Sequence, residues 1–442
     1  MPIIDIDAHY QHKRILAFVA TNLTLAASRA VVSALKLVVH VRSFDACAAG
    51  GPSDIEDRIA MQCACWADND RALNRVHSRL AALVLCVASM FSGTTVARAD
   101  ALASAVYVRT DTDHTLVVSP RARASTRLGE RTDVDVSYAA DVWTSASVDI
   151  RASASKPVTE QRNELDFGMA HELDDVTLSG SYRYSSENDY ESHGLSGGGA
   201  FNFADKNSTL ALNAYLFQDT VGRSGDPTFS HALSTLGGRL SFTQVFDPNM
   251  LGQITYELVH LGGYQASAYR FVGIGGTGFG CEAAIWCLPE HEPSLRTRHA
   301  IAALLRRALG DHVSLGANYR FFTDDWGLTS HTVAAQLGIM LGTDSSLTFR
   351  YRFYVQSGVS FYAAIYQTLP SASTYTTRDR EQSPMQDHRL GVDLQHKLPL
   401  GDGRMRLVIS TGVGGDFYTY DNFVGLRQTS ALELTLALAL ER

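Results

Sequence analysis

The chain has 442 residues, a formal net charge of −8 and 45% apolar residues, so it is long enough to bury a large core or to close a large barrel. Its mild acidity and the dispersion of its arginines exclude the basic patch that phosphate binding needs, so we expect no nucleic-acid partner. After Asp100 no run of roughly 18 to 20 apolar residues occurs, which excludes transmembrane helices from that part.

The first predicted element is an irregular or helical N-terminal extension, residues 1–74. A secretory signal follows it, and export normally reads the first hydrophobic stretch of a chain. We therefore interpret the extension as the product of a start codon that is placed too early. Translation would then begin near Met61 or at a non-Met start codon just before Arg75. The alternative is an earlier signal around residues 13–19.

Residues 75–99 have the three parts of a signal peptide in order. A basic start (RVHSRL) precedes an apolar stretch from Leu80 to Phe91, and Ala97-Arg98-Ala99 is a small-x-small cleavage site. This pattern predicts export, and it places the mature protein at residues 100–442.

Residues 100–442 show the period-2 alternation of a transmembrane β-barrel, in which one strand face meets lipid and the other a polar lumen. In the last segment, leucine occupies every second position from Leu432 to Leu440, and Glu433 and Thr435 lie between them. Leu347 to Val355 alternates in the same way. Further runs with this pattern are Val176–Tyr184, Leu210–Leu216, Leu236–Phe242, Val313–Phe321, Val333–Ile339, Leu390–Leu394 and Met405–Ile409.

Turn residues divide the segment into about sixteen antiparallel strands, the first near Ala103–Asp111. Tight turns are predicted at 128–130, 174–175, 204–207, 247–249, 310–311, 342–344 and 401–403, and long external loops at 144–161, 220–230, 263–293 and 359–383. An even strand number leaves both ends in the periplasm. Arg296–Leu309 could instead be an amphipathic helix, which would change the count by about two. A soluble β-sandwich or propeller alternates similarly, but the signal peptide and the short-long rhythm favour an up-and-down membrane barrel.

Several short motifs resemble an uncharacterised family of bacterial predicted outer-membrane barrels, defined only as a domain of unknown function. They are Tyr107–Asp113 followed by Thr115–Pro120, Tyr138–Asp141 with Ser145–Asp149, and Ser185–Tyr190. The resemblance covers most of residues 100–442. It implies a barrel in the outer membrane of a Gram-negative bacterium and no established activity.

If the leucine and aromatic faces meet lipid, the opposite faces place charges in the lumen. We predict an acidic wall on early strands and a basic wall on late ones, whose transverse field would orient dipolar solutes. The alternative is that the arginines pair with neighbouring acids such as Asp393 and fill the barrel. The acidic wall is Asp133, Asp135, Glu164 and Asp166, and the basic wall is Arg320, Arg350, Arg352, Arg389, Arg404 and Arg406.

Two further groups lie in predicted loops. Acids at the external rim could repel anions or hold cations, or simply stay solvated: Asp189, Asp219, Asp324, Asp325 and Asp416. Cys281 and Cys287 are an even pair in an exported segment, so we predict a disulfide, with two free thiols as the alternative.

These features predict a porin-like passive channel for small polar solutes. The alternatives are a plugged structural or anchoring barrel, or a hydrolase that uses rim residues such as Asp324, Asp325 and His331, or Ser230 with His231. Expected partners are outer-membrane lipids, the barrel-assembly machinery and small polar solutes or ions. We predict no cofactor and no metal site, because nothing later in the chain adds a plausible ligand set to Asp7 and His9.

Overall fold

A computed structural model describes residues 100–145, 158–276, 281, 284–401 and 405–442. The predicted extension and signal peptide lie outside these residues. Within them, no helix is long and apolar enough to cross a membrane.

Sixteen antiparallel strands close into one barrel, as the sequence predicts. Each strand pairs with its neighbour along the chain, and β1 pairs with β18 over the register Ala101↔Glu441 to Asp111↔Ala431. The barrel strands are β1 (Ala101–Asp111), β2 (Thr115–Leu128), β3 (Thr132–Ser145), β4 (Val158–Leu173), β5 (Val176–Ser186), β6 (Tyr190–Phe203), β7 (Ser208–Gly222), β8 (Ser230–Asp247), β9 (Met250–Gly263), β12 (Leu295–Leu309), β13 (Val313–Asp324), β14 (Thr329–Leu341), β15 (Ser345–Gln356), β16 (Met385–Leu400), β17 (Met405–Tyr420) and β18 (Gln428–Glu441).

Two elements outside the barrel belong to the loops. A small hairpin, β10 (Phe271–Ile274) and β11 (Trp286–Pro289), lies between β9 and β12. A single 3₁₀ turn, Arg380–Gln382, lies between β15 and β16.

The segment that could have been a helix, Arg296–Leu309, is part of strand β12. It pairs with β9 on one side and with β13 on the other. Ile301, Leu305 and Leu309 take the outer face, and Arg296, Arg298 and Ala300 take the inner one. The sixteen-strand count therefore stands.

The outer surface of the barrel is a band of apolar side chains. Leu195, Leu212 and Leu236 have at least 60% of their surface exposed. Such a band is costly in water but matches hydrocarbon, and a closed barrel leaves no unpaired strand edge in the membrane. Each of the sixteen barrel strands has 11 residues or more, enough to cross a bilayer with a tilt.

The two rims differ in the length of their connections. The short-turn rim carries both barrel termini and the connections 129–131, 174–175, 204–207, 248–249, 310–312, 342–344 and 401–404. Gly129 and Gly310 adopt φ values of +69° and +68° there, and a residue with a Cβ atom would be strained in that backbone conformation. The long-loop rim carries 112–114, 146–157, 187–189, 223–229, 264–294, 325–328, 357–384 and 421–427.

A charge placed in the apolar band tests the orientation of the strand faces. We expect Leu212→Arg to lower the free energy of unfolding by about 2 kcal/mol or more, because the guanidinium would enter hydrocarbon. Asn213→Arg, one residue along β7 on the lumen face, is the matched control and should cost much less. Urea unfolding in lipid vesicles measures both, and equal losses would contradict this assignment of faces.

Candidate functional site

The lumen face of the barrel carries all described members of the two predicted walls. The acids lie on β3 and β4, and the arginines on β13, β15, β16 and β17. Neighbouring positions such as Val136, Leu165 and Phe349 are exposed on the outer face. Arg404 lies outside the described residues, and Arg406 is the Cα partner of Glu441 in the β17–β18 ladder.

The acidic wall is matched by arginines on the adjoining strands. Asp166 and Arg183 face each other in the β4–β5 register, and the Arg183 Nε lies 2.9 Å from the Asp166 Oδ2 and 4.0 Å from the Glu164 Oε1. Asp133 and Asp135 lie 3.7 and 3.3 Å from arginines of β2. The acids therefore have cations within ion-pair distance on neighbouring strands.

The basic wall is matched in the same way. Arg350 forms an ion pair with Asp393, and Arg320 lies 3.9 Å from Glu257. Neighbouring strands thus neutralise much of each wall, and the transverse field is smaller than a count of wall residues suggests. Asp393, the acid expected as a partner for lumen arginines, pairs with Arg350.

A compact set of lumen charges lies just below the long-loop rim; we call it the outer charge cluster. It consists of Arg109, Arg352, Arg389, Asp387, Asp416 and Glu433, from strands β1, β15, β16, β17 and β18.

Contacts within the outer charge cluster are short and enclosed. Arg352 Nη2 lies 2.6 Å from Asp387 Oδ2 and 3.5 Å from Asp416 Oδ1, and Arg389 pairs with Glu433. The Tyr107 hydroxyl donates to Glu433 Oε1 at 2.6 Å. The Asp387 and Asp416 side chains are 1% and 0% exposed. These charges are held in place by one another, and the two aspartates are withdrawn from bulk water.

The predicted acidic rim divides into different environments. Asp219 accepts a hydrogen bond from Tyr190, Asp189 accepts one from Tyr269, and Asp325 accepts one from the backbone of Thr297. Asp324 is buried against Arg296, and Asp416 points into the outer charge cluster rather than out from the rim. The rim is therefore a set of hydrogen-bonded contacts more than a solvated ring of acids.

Two long loops meet over the barrel mouth through four residues, Tyr269, Arg270, Asp379 and Arg380, which we call the mouth bridge. The Tyr269 hydroxyl donates to Asp189 in the β5–β6 connection. Arg270 Nη1 lies 2.6 Å from Asp379 Oδ2, which joins loop 264–294 to loop 357–384.

The mouth bridge continues to the other side of the rim. Arg380 Nη1 lies 2.6 Å from the buried Asp113 Oδ2 in the β1–β2 connection. The β1–β2 and β5–β6 connections, and the β9–β12 and β15–β16 connections that supply the loops, lie in separate sectors of the sixteen-strand rim. The bridge therefore connects rim sectors that no strand pairing connects.

A buried interlock holds the two loops to each other. Glu290 Oε1 accepts hydrogen bonds from Thr377 Oγ1 at 3.1 Å and from the Arg378 backbone N–H at 2.7 Å. Gln382 Nε2 donates to Glu292 Oε1 at 2.8 Å. Beneath these bonds Val272 and Ile274 of β10 are completely or almost completely buried. Cys281 and Cys287, the predicted pair, are joined by a disulfide in the same loop.

Burial raises the pKa of both interlock carboxyls. It raises the pKa of Glu290 to about 6 and the pKa of Glu292 to about 7, and the nearby Glu290 adds to the rise at Glu292. Both glutamates bind protons more tightly here than in an unfolded chain, where the pKa is 4.5. The stability that these two carboxyls contribute to the interlock is therefore greatest below about pH 4.5, and it falls as pH rises through 6 and 7.

Hydrogen exchange can follow this pH dependence at one amide. We expect the Arg378 N–H, which donates to Glu290, to lose several-fold protection between pH 5 and pH 8 after correction for intrinsic exchange. The double variant Glu290→Gln, Glu292→Gln should show a much flatter profile, and Glu130→Gln, in an exposed turn, should behave as wild type. A double variant with an unchanged slope would contradict the assignment.

The family model described as "Protein of unknown function (DUF3570)" matches residues 149–411, more than half of the chain. The chain belongs to this family. The resemblance inferred from the short motifs is confirmed, and a sixteen-strand closed barrel with an apolar outer band makes this DUF3570 protein an outer-membrane barrel.

Solved structures similar to the DUF3570 barrel have unrelated sequences. A bacterial polysaccharide outer membrane secretin is 7% identical, with a TM-score of 0.44, over 78% of this chain and 99% of that one. OprD of Pseudomonas aeruginosa is 9% identical, with a TM-score of 0.37, over 77% and 94%. The TodX monoaromatic hydrocarbon channel is 9% identical, with a TM-score of 0.36, over 77% and 88%. No curated protein sequence matches the chain.

The residues of the alternative hydrolase site do not come together in the DUF3570 barrel. Asp324 points inward, where both its oxygens are occupied by Arg296 and by the backbone N–H groups of Trp326 and Leu328. His331 lies on the exposed outer face, where its Nδ1 is 2.8 Å from the Tyr319 hydroxyl. His231, beside Ser230, stacks on Tyr264.

His331 is one member of a repeated outward-facing motif of the DUF3570 barrel. Four tyrosines each place their hydroxyl 2.8–2.9 Å from a histidine Nδ1 on the next barrel strand, in the half nearer the long loops. Amphipathic rings of this kind suit the level of lipid head groups. The pairs are Tyr182–His193, Tyr256–His299, Tyr319–His331 and Tyr351–His388.

Proposed function

We propose that this DUF3570 protein is a passive channel for small polar solutes, with its constriction at the outer mouth. The observation that carries the proposal is that carboxylates close to the long-loop rim are enclosed, whereas several charged side chains towards the short-turn rim are open to the lumen. Towards the short-turn rim, the side chains of Arg123, Arg350 and Asp133 are 61%, 57% and 53% exposed. Near the opposite rim, those of Asp387 and Asp113 are 1% and 2% exposed.

The lumen chemistry supports polar rather than apolar cargo. Ion pairs of both signs on neighbouring strands replace part of the hydration shell of a passing solute with donors and acceptors. Positive and negative side chains alternate over short distances. A solute with several hydroxyl or amide groups therefore replaces most of the hydrogen bonds to water that it loses on entry, whereas an apolar solute makes no such bonds. A sixteen-strand cylinder leaves room for a water-filled passage unless loops occupy it.

The mouth bridge supports one alternative, a barrel closed for a structural or anchoring role. It joins Asp189 to Asp113 through two pairs of consecutive residues and lies on a folded interlock. In the channel proposal the same bridge is the constriction and must open.

We also propose that residues 75–99 direct export and that the barrel-assembly machinery inserts the strands. Support for this comes from the signal pattern and from the even-numbered antiparallel barrel. Outer-membrane lipids contact the apolar band and the tyrosine–histidine pairs.

Breaking the mouth bridge separates the channel from the closed barrel. In planar bilayers we expect Arg380→Ala to open more often, or to a larger conductance, than wild type, because Asp113 loses the side chain that fastens the bridge. Arg131→Ala, which removes an exposed ion pair with Asp174 at the opposite rim, is the control and should match wild type. Silence of wild type and Arg380→Ala at all voltages would sink the channel proposal and favour the closed barrel.

Removing one lumen arginine should change ion selectivity. Arg350→Ala leaves Asp393 without its cation, so we expect the reversal potential in a salt gradient to shift towards cation selectivity. The shift should shrink at high salt because exposed charges are screened. A reversal potential equal to that of wild type would show that the lumen charges do not act on the permeating ions.

A further inference from the structure

A small cavity opens in the lumen wall close to the outer mouth. Its volume is about 190 Å³, and it lies between β12, β13, β14 and β15, beside the connection 325–328. The polar part of its lining consists of Arg296, Arg298, Arg320, Ser330, Tyr354 and Gln356. Three arginines and no carboxylate among the described residues line it.

One of the three arginines is neutralised. Arg296 donates to Asp324 from Nε at 2.9 Å and also from Nη2, and its guanidinium stacks 4.1 Å from the centre of the Trp326 ring. The second oxygen of Asp324 accepts backbone hydrogen bonds from Trp326 and Leu328. Both Asp324 oxygens thus already accept hydrogen bonds, and Arg296 is held in a fixed position in the cavity lining.

The other two arginines leave positive charge facing the cavity. The Arg298 Nε is buried and has no hydrogen-bond partner, which is a costly state for a charged donor. Arg320 lies 3.9 Å from Glu257, but Glu257 is held more closely by Arg239 at 2.7 Å and accepts from Tyr215 as well. One carboxylate is therefore shared by two arginines, and Arg298 keeps donor capacity.

We propose that this cavity binds a small oxyanion, the carboxylate or phosphate group of a solute on its way through the barrel. The inference rests on the channel proposed above and names its cargo class. Guanidinium groups match carboxylate and phosphate oxygens with paired N–H donors, and a partly enclosed site strengthens each such bond. Phe322 and Leu328 give the cavity an apolar side for the carbon skeleton of the solute.

The same cavity adjoins a loop of the mouth. Gln356 lines it and donates from Nε2 to the backbone oxygens of Glu381 and Ser383 at 2.8 and 2.7 Å. Glu381 directly follows Arg380 of the mouth bridge. The anion site is thus placed at the constriction, where a bound solute meets the segment that must move.

Calorimetric titration of the purified barrel in detergent tests the site without requiring conduction. Sodium phosphate, sodium succinate and glycerol are injected at constant ionic strength. We expect phosphate or succinate to bind and glycerol not to bind, and the two anion arms identify which oxyanion is preferred. Arg298→Met should weaken that binding about tenfold or more, because a charge-assisted donor pair is lost.

Two further variants sharpen the assignment. Arg298→Lys keeps the charge but loses the planar fork, so we expect intermediate affinity. Arg131→Met at the short-turn rim should bind as wild type. Should Arg298→Met fail to give heat-modifiable migration on a gel, Arg320→Met removes the second donor and is expected to weaken binding similarly.

The site would be overturned if wild type did not bind an anion, or if folded Arg298→Met or Arg320→Met bound the anion with the affinity of wild type. The result is separable from the channel proposal. Anion binding by a barrel that never conducts would retain the site and reject the channel, whereas conductance without anion binding would retain the channel and reject the site.

Discussion

The pairing of β1 with β18 is the constraint on which the rest of the structure depends. In hydrocarbon an unpaired strand edge has no water to satisfy its N–H and C=O groups, so the sheet must close. Eleven residue pairs, from Ala101↔Glu441 to Asp111↔Ala431, make that closure. They join the first barrel strand to the last, so that all sixteen strands enclose one lumen. The lumen that holds the charges therefore depends on this seam, and the alternation of side chains along each strand sends the apolar residues to the outer band.

Closure brings together residues that are far apart in the chain. Tyr107 and Glu433 are separated by 326 positions, yet their side chains share a 2.6 Å hydrogen bond. The outer charge cluster spans the seam and joins Arg109 of β1 to arginines and acids of the last four strands. A buried ion pair is favourable only when its geometry is good and its remaining groups are satisfied. Each arginine of the cluster has two carboxylate partners, but the buried Asp387 Oδ1 and Arg352 Nε have no hydrogen-bond partner, so the cluster meets that condition only in part.

Sequence patterns predicted the strand number and the faces correctly because both depend on short-range periodicity. Every second residue from Leu432 to Leu440 points outward, whatever the partner strand is. Ion-pair partners could not be predicted in the same way, because they depend on the register between strands. Asp393 pairs with Arg350 diagonally across the β15–β16 ladder, where its Cα partner is Thr348, and Asp416, assigned to the rim from its place in the sequence, lies on the lumen face. Arg296 and Arg298 could not be assigned to the lumen from the sequence, because residues 296–309 also have the pattern of an amphipathic helix. Pairing of β12 with β9 and β13 is what directs both side chains to the lumen.

The loops were the least predictable part, since their contacts run between segments with no periodic pattern. Their most consequential feature is that the mouth bridge consists of two adjacent pairs, Tyr269 with Arg270 and Asp379 with Arg380. A displacement at Asp189 reaches Asp113 through only three side-chain contacts, with no flexible linker between them. In the channel proposed above, the mouth bridge would therefore release as a unit, and we expect currents that step between two levels instead of varying smoothly.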